Sequence, residues 1–266
     1  MSSQESQVSP KDASYELLYW PGFPGRGEFI RLALEEAGIT YMDTAQFKNG
    51  IDQVIAQYDE KNLGDDFNPP PFACPILRHG DLLISQTSNI LLYLGPRLGL
   101  VPKDDKHHDA LYKVNMLALT ALDAFSNEMH ESHHPISVGL YYEDQKDEAK
   151  RRTKDFVQTR LPKFLSYFER VIQGKASGEG PWLYSGQLTY ADLVLFQGLN
   201  GAKHSFRKAM AAAEKSGKYN RVFELYEAVK ERPKIKDYLA SKRRLNYANG
   251  LFRYYEELDF DLEDRD

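Results

Sequence analysis

A tyrosine hydroxyl is the first group along this chain that is placed to do chemistry. Tyr19 ends a short apolar and aromatic run, and a loop rich in glycine and proline separates it from a helix that begins near Glu28. A phenolic hydroxyl donates a hydrogen bond without losing its proton, so it can stabilise an anion beside this loop. The alternative is an aromatic side chain that only packs at the end of a strand.

A second pattern, formed by His130, Glu131 and His134, has the spacing of zinc peptidases. Two imidazoles one helical turn apart can share a zinc ion. Pro135 follows at once, so we expect the helix to end at or before His134, and the sequence singles out no third ligand. We therefore predict no metal, and we expect these histidines to line a pocket between domains.

Gln86 and Thr87 precede a predicted helix. The free N–H groups and the dipole of a helix N-terminus attract anions, although the same residues also suit a plain capping cluster. Cys74 is the single cysteine of the chain, which excludes an internal disulfide framework and a thiolate metal cluster. Pro75 follows it, and a trans proline at the start of a strand is the ordinary interpretation of that pair.

The charge balance excludes several classes of partner. The 266 residues carry 34 Lys+Arg and 39 Asp+Glu, a formal net charge of -5, which gives no attraction to nucleic acid or to an anionic membrane. The first residues have no signal-peptide pattern, and no apolar stretch approaches the roughly 20 residues that span a bilayer. We therefore predict a globular, cytoplasmic protein with neither nucleic acid nor membrane as a partner.

Residue patterns divide the chain into an α/β domain and a helical domain. Residues 1–13 are a predicted disordered tail, and residues 14–100 are the predicted α/β domain. Its predicted elements, in order, are a strand at 15–20, a helix from about Glu28 to Gly38, a strand at 39–47, a hairpin at 75–84, and a helix at 89–98 with Ser88 as cap.

Residues 101–105 are a predicted linker, and residues 106–245 are a predicted all-helical domain followed by a tail at 246–266. Helical periodicity predicts helices at residues 106–134, 143–173, 190–214 and 219–231. Thr189 and Asp192 have the spacing of a capping box, which we assign to folding.

Several motifs together resemble the cytosolic glutathione transferases, most closely the tyrosine-type classes such as pi, mu and sigma. They occur in the family's order over roughly residues 14–244 and are YELLYWP at 15–21, RGEFIRL at 26–32, CPIL at 74–77, GDL at 80–82, QTSNILLYLG at 86–95, LTYADL at 188–193 and RPKIKDYLAS at 232–241. The resemblance implies a thioredoxin-like N-terminal domain followed by an all-α domain. It also implies conjugation of the glutathione thiolate to small hydrophobic electrophiles.

The resemblance assigns roles to the residues singled out above. It implies that the Tyr19 hydroxyl stabilises the thiolate of glutathione. It implies a cis Cys74-Pro75 bond that frees the Cys74 backbone to pair with the cysteinyl part of glutathione, with the Cys74 side chain incidental. Gln86 and Thr87 are expected to hold the γ-glutamyl carboxylate.

Arg26 and Lys48 are the candidate partners of the glycyl carboxylate. One departure from the family concerns the turn after the tyrosine, because residues 22–25 make it longer than usual. The rival groups for the role of Tyr19 are therefore Tyr15 and a hydroxyl or backbone amide of this loop.

The electrophile pocket is expected between the first domain and the first two helices of the second, with the aromatic tail around residues 251–255 covering it. Its candidate residues, for each of which core packing is the alternative, are Phe23, Phe125, His130, His134, Tyr141 and Tyr142. The resemblance also implies a two-fold homodimer. The alternative function is a non-catalytic binding or regulatory module on the same fold, because fold alone does not decide function.

Overall fold

The computed structural model describes residues 14–103 and 109–262. The predicted tail at residues 1–13, part of the predicted linker, and the start of the helix predicted at residues 106–134 lie outside the described residues.

A four-stranded mixed sheet forms the centre of the first domain. Its strands are β1 (Tyr15–Leu18), β2 (Tyr41–Asp43), β3 (Ile76–His79) and β4 (Leu82–Ser85). They lie in the order β2-β1-β3-β4, with β1 and β2 parallel and the other two pairs antiparallel. The predicted hairpin is confirmed.

Both strands predicted upstream of the hairpin are shorter than expected. β1 ends at Leu18 rather than at Trp20. The strand predicted at residues 39–47 keeps only the three residues of β2, because the Asp43 carboxylate accepts the Ala45 N–H at 3.0 Å and turns the chain into the short 3-10 helix Thr44–Gln46.

Three helices cover the sheet. Helix α1 (Gly27–Ala37) ends at Gly38, whose φ of 72° is the left-handed conformation that glycine adopts readily. Helix α2 (Gly50–Ala56) is short and was not predicted. Helix α3 (Thr87–Arg97) begins two residues earlier than expected, so Gln86 and not Ser88 is the residue before its first turn.

The second domain is helical, and its described residues contain only an isolated β-bridge between Tyr184 and Gln187. Its α-helices are α4 (Ala110–Leu119), α5 (Asn127–His133), α6 (Lys146–Asp155), α7 (Leu161–Gln173), α8 (Tyr190–Ser205), α9 (Arg207–Lys215), α10 (Asn220–Lys230) and α11 (Pro233–Ala240).

Each of the three longest predicted helices is interrupted. Wide π-helical turns at Thr120–Ser126 and Phe156–Arg160 separate α4 from α5 and α6 from α7. Pro162 follows the second turn, and because proline has no N–H, the regular hydrogen-bond ladder cannot continue through it. Phe206, with φ of -131°, separates α8 from α9.

One large apolar core unites the two domains. Phe29, Leu32 and Ala33 of α1 belong to the same buried cluster as the side chains of α4, α7, α8 and α10. A smaller cluster lies between the sheet, α1 and α3 and includes the ring of Tyr19. No helix in the described part of the chain is long and apolar enough to cross a membrane.

Candidate active site

Tyr19 directly follows β1, and its ring is buried under the glycine-rich loop. Its hydroxyl oxygen accepts the backbone N–H of Arg26 at 2.7 Å. A Cβ atom at Gly25 would lie 2.2 Å from this oxygen, and one at Gly27 would lie 2.7 Å from the ring, so both positions require glycine. The loop therefore occupies one side of the hydroxyl and leaves its proton available for donation.

Burial raises the pKa of the Tyr19 hydroxyl to about 12, and the nearby Cys74 thiol adds to this effect. The Arg26 N–H and the guanidinium of Arg31 oppose the increase without cancelling it. The phenol consequently stays protonated at neutral pH, which is the form that donates a hydrogen bond.

Arg31 fixes the loop above Tyr19. Its fully buried guanidinium donates to the Pro24 carbonyl at 3.0 Å and to the Asp43 carboxylate at 2.7 Å, and it forms an ion pair with Glu28 at 3.3 Å. An arginine completely removed from water requires such partners for its charge. The contact with Pro24 connects α1 directly to the loop, so the position of the tyrosine is set by helix packing.

The backbone of Tyr19 is fixed independently. Its N–H donates to the Thr44 hydroxyl at 2.9 Å, and that hydroxyl donates to the Tyr19 carbonyl at 3.0 Å. Sequence reasoning did not identify Thr44, since a threonine after a short strand carries no signal of a contact 25 residues away.

Cys74-Pro75 is a cis peptide bond, as the family resemblance implied. Strand β3 begins only at Ile76, which pairs with Leu18, so the backbone of Cys74 lies outside the ladder and beside Tyr19. Burial raises the pKa of the Cys74 thiol. The side chain is therefore a protonated thiol at neutral pH and not a reactive thiolate.

The N-terminus of α3 presents a polar corner. Gln86 is exposed and has φ of 72°, an unusual conformation for a residue other than glycine. Thr87 is buried, and its hydroxyl has no hydrogen-bond partner. An orphaned hydroxyl next to the free N–H groups of a helix fits a carboxylate ligand such as that of the γ-glutamyl group.

The two basic candidates for the glycyl carboxylate lie in different surroundings. Arg26 donates through its guanidinium to the side-chain carbonyl of Asn127, at the start of α5, and so bridges the two domains. Lys48 is exposed on the loop before α2. Sequence analysis did not identify Asn127, because a single asparagine within a helical pattern has no distinguishing feature.

Three of the predicted pocket residues lie around the loop and α5. Phe23 stands edge-on to Tyr19 with ring centroids 6.2 Å apart, and it packs so closely on Gly250 that a Cβ there would lie 2.8 Å from the Phe23 ring. His130 and His134 stack with centroids 5.7 Å apart. The C-terminal tail, through Gly250, therefore reaches the loop that covers Tyr19.

The other three pocket candidates have different surroundings. Phe125 is fully buried in the helical core, with its ring 5.4 Å from that of Phe164. Tyr141 is 80% exposed. Tyr142 is buried and stacks on Tyr255 of the tail at 3.8 Å. Phe125 therefore packs in the core, which was the alternative to a role in the pocket.

The helix end at the histidines agrees with expectation, since α5 ends at His133 and His134 is already outside it. Burial lowers the pKa of His130 to about 4 and that of His133 to about 2, with neighbouring histidines and Arg26 or Arg253 contributing. These imidazoles are therefore neutral at physiological pH. The zinc-peptidase pattern uses only His130 and His134 as ligands, whereas in the structure His133 belongs to the same cluster.

The capping box predicted in the helical domain is confirmed. The buried Asp192 carboxylate accepts the Thr189 N–H and hydroxyl, both at 2.7 Å, and the Leu183 N–H at 2.8 Å. It stabilises the start of α8, the central helix of the core.

Comparisons with known proteins agree with this architecture. Residues 130–242 match the family model described as glutathione S-transferase, C-terminal domain. The chain is 24% identical over 238 residues to a glutathione S-transferase of Plasmodium falciparum, covering 87% of this chain and 98% of the relative. It is 26% identical over 231 residues to glutathione S-transferase P 1 of Xenopus laevis, covering 86% and 93%.

Solved structures share the fold. The pi-class glutathione S-transferase of Onchocerca volvulus superimposes with a TM-score of 0.60 at 22% identity, covering 85% of this chain and 91% of that one. Prostaglandin synthase D of Nilaparvata lugens has a TM-score of 0.59 at 19% identity, covering 86% and 98%. The thioredoxin-like sheet and the helical second domain thus give this chain the fold of the glutathione transferases, residues 130–242 match that family's C-terminal domain, and the relatives it resembles are matched along nearly their whole length.

Proposed function

We propose that the protein is a glutathione S-transferase that joins the thiolate of reduced glutathione to small hydrophobic electrophiles. The observation that carries this proposal is the buried Tyr19 hydroxyl. Its oxygen accepts the Arg26 N–H, and its proton remains available beside Cys74, whose backbone lies outside the β-ladder.

Glutathione would bind along three contacts that the chain supplies. The γ-glutamyl carboxylate meets Thr87 and Gln86 at the start of α3, and the cysteinyl part pairs with the backbone of Cys74 as an added strand would. The sulfur then lies within reach of the Tyr19 hydroxyl. Arg26 or Lys48 meets the glycyl carboxylate.

The proposed chemistry needs an ionised sulfur at neutral pH. A thiol with a pKa of ~8.5 is only a few per cent ionised there, and one hydrogen bond from a neutral phenol stabilises the charged form. Lowering the pKa by about 1–2 units corresponds to about 1.4–2.7 kcal/mol. The thiol proton leaves to solvent, and the sulfur attacks the electrophilic carbon as its leaving group departs.

The electrophile would bind against Phe23, His130 and His134. Neutral imidazoles and an aromatic ring give an apolar surface, and the tail segment around Gly250 bounds it. We propose that this activity removes reactive apolar compounds in the cytoplasm.

We also propose that the working form is a homodimer. Large apolar side chains remain exposed on both domains, namely Phe72 before β3 at 90% and Tyr112 and Met116 on α4 at 69% and 55%. Apolar surface of this kind on both domains suits a two-fold interface in which the first domain of one copy meets the helical domain of the other.

Two measurements in sequence test the function. The purified protein should bind to glutathione resin and then conjugate glutathione to a generic aryl halide. Retention without turnover would support the alternative, a non-catalytic module, since the loop that holds Arg26 against Tyr19 is itself the departure from the family. Absence of both would contradict the proposal.

A further inference from the structure

Three histidine side chains converge where α5 ends and the C-terminal tail crosses it. His130, His133 and His134 each offer one ring nitrogen, and these three atoms lie within 4.8 Å of one another. His133 and His134 are buried, and His130 is partly buried. No role in glutathione binding requires all three.

The end of the helix creates this convergence. In a continuous helix, neighbouring residues point about 100° apart, so His133 and His134 would diverge. His134 instead has φ of -136° and ψ of 62°, outside the helical region. Its ring turns back, stacks on His130, and brings its Nδ1 into direct contact with Nδ1 of His133.

The tail fixes the tautomer of the middle histidine. Nε2 of His133 lies 3.2 Å from the carbonyl oxygen of Leu251. A carbonyl only accepts, so Nε2 carries the proton, and Nδ1 of His133 accepts a hydrogen bond from Nδ1–H of His134; a bound ion would take the place of this shared proton. A histidine oriented by a carbonyl through its outer nitrogen is the usual arrangement of a metal-bound imidazole.

We propose that His130, His133 and His134 bind a transition-metal dication, with Zn²⁺ as the best fit. Three neutral imidazole nitrogens suit Zn²⁺, Co²⁺, Ni²⁺ or Cu²⁺, whereas Mg²⁺ and Ca²⁺ require oxygen ligands. Water would complete the coordination.

The charges around the cluster shape this site. Arg26 and Arg253 act on the histidines as positive neighbours, and Glu143 acts on His134 as a negative one. Net charge therefore does not attract the cation, and affinity comes from the coordinate bonds. This is a second reason to expect a transition metal that prefers nitrogen ligands, rather than a hard cation such as Mg²⁺ or Ca²⁺.

The site is not that of a zinc peptidase. In those enzymes the glutamate of the pattern serves as a general base. Here Glu131 forms an ion pair with Arg152 at 2.8 Å, and half of its side chain is exposed. The sequence led us to expect no metal because it singled out no third ligand; in the structure the third imidazole is that of His133, inside the pattern itself.

Metal binding can be measured directly on the full chain without a histidine tag. After removal of metal with a chelator, the protein is titrated with Co²⁺ and followed by visible absorption, and Zn²⁺ retained after gel filtration is counted by elemental analysis. We expect one ion per chain and the absorption of a four- or five-coordinate Co²⁺. The variants His130→Gln and His134→Gln should each bind at least tenfold more weakly.

Matched controls use the other histidines. His204→Gln alters a ring that stacks on Tyr247 at 4.5 Å, away from the cluster, and it should keep full binding. The double variant at His107 and His108, an adjacent pair outside the described residues, should also keep it. Thermal unfolding with the chelator shows whether each variant is folded, and the same concentration of added Zn²⁺ should raise the Tm of the parent by more than that of His130→Gln.

Two results would overturn the proposal. One is the absence of retained metal in the parent. The other is a folded His130→Gln or His134→Gln variant that binds as tightly as the parent, above all if the His107 and His108 variant loses the ion. Glutathione conjugation is measured separately, with and without the ion, because His130 and His134 also line the proposed electrophile surface.

Discussion

At the scale of single residues, the Tyr19 hydroxyl can accept one hydrogen bond through its oxygen and donate another through its proton. The oxygen accepts the Arg26 N–H at 2.7 Å, and the proton is left for the proposed glutathione sulfur. Changing Tyr19→Phe removes only the donor, so we expect turnover to fall tenfold or more while glutathione affinity changes little. About 1.4 kcal/mol per factor of ten is within the range of one hydrogen bond to a charged group. Steady-state kinetics and a binding titration measure the two effects.

The matched control is Tyr15→Phe, because Tyr15 is the rival tyrosine and its ring stacks on His79 at 4.1 Å. We expect this variant to keep its turnover. Loss of activity in Tyr15→Phe together with full activity in Tyr19→Phe would assign the catalytic hydroxyl to Tyr15 instead of Tyr19.

The pH dependence tests the protonation state of the same group. Since the pKa of Tyr19 is raised to about 12, its donating form persists throughout the neutral and mildly alkaline range. kcat/KM should therefore rise with pH as the bound thiol ionises and then stay level, with no decline up to about pH 10, the usual tyrosine pKa. In Tyr19→Phe the rise should move to higher pH. A decline centred below pH 10 in the parent that disappears in Tyr19→Phe would show that the phenol ionises.

At the scale of elements, the loop between β1 and α1 decides where the hydroxyl lies. Gly22 and Gly25 both have positive φ, so alanine strains the backbone at either position, but only at Gly25 would its Cβ meet Tyr19. We expect Gly25→Ala to lose turnover at least tenfold. Gly22→Ala, with no heavy atom within 4 Å of its Cβ, should cost roughly 1–2 kcal/mol of stability and keep its turnover.

Kinetics combined with chemical denaturation separates the two variants of the loop. Equal losses of turnover in Gly22→Ala and Gly25→Ala would mean that loop strain, and not contact with Tyr19, controls activity.

The start of α8 offers a second test at this scale. Asp192→Ala leaves three buried donors without an acceptor, so we expect the free energy of unfolding to fall by at least about 2 kcal/mol. Asp109→Ala is the control, since Asp109 precedes α4 without a side-chain capping bond. It should change stability by less than about 0.5 kcal/mol. Similar losses in both variants would contradict the assignment of the capping box to folding.

At the scale of the whole molecule, the exposed apolar side chains on both domains are the basis of the proposed homodimer. We expect sedimentation at micromolar concentration to give about twice the 30.5 kDa chain mass. Changing Phe72→Glu or Met116→Glu places a charge in the proposed interface and should shift the protein toward the monomer. Val138→Glu, on a different exposed loop, should leave the mass unchanged. A parent that sediments as a single species near the chain mass would exclude the dimer.

Sequence patterns determined much of the local structure. Hydrophobic periodicity and turn residues placed α1, the hairpin and the helical second half, because burial of one apolar face and the backbone freedom of glycine act over a few residues. The capping box at Thr189 was visible for the same reason, since both partners lie within one helical turn.

Interruptions of the long helices were not visible in the sequence. The periodicity of an apolar face continues through a π-helical turn, and whether the extra residue is accommodated depends on the helices packed against it. Helix α2 escaped prediction because its seven residues bury only Gly50 and Val54, which is too few to establish a period.

Tertiary structure alone decided how the site is assembled. Contacts of Tyr19 with Thr44, of Arg31 with Pro24 and of Arg26 with Asn127 join residues that are distant in sequence or lack a fixed spacing, so no local pattern encodes them. The histidine cluster shows the same limit. The sequence gives the residues at 130, 133 and 134, but the turn of the backbone at His134 and the carbonyl of Leu251, 118 residues from His133, bring their nitrogens together.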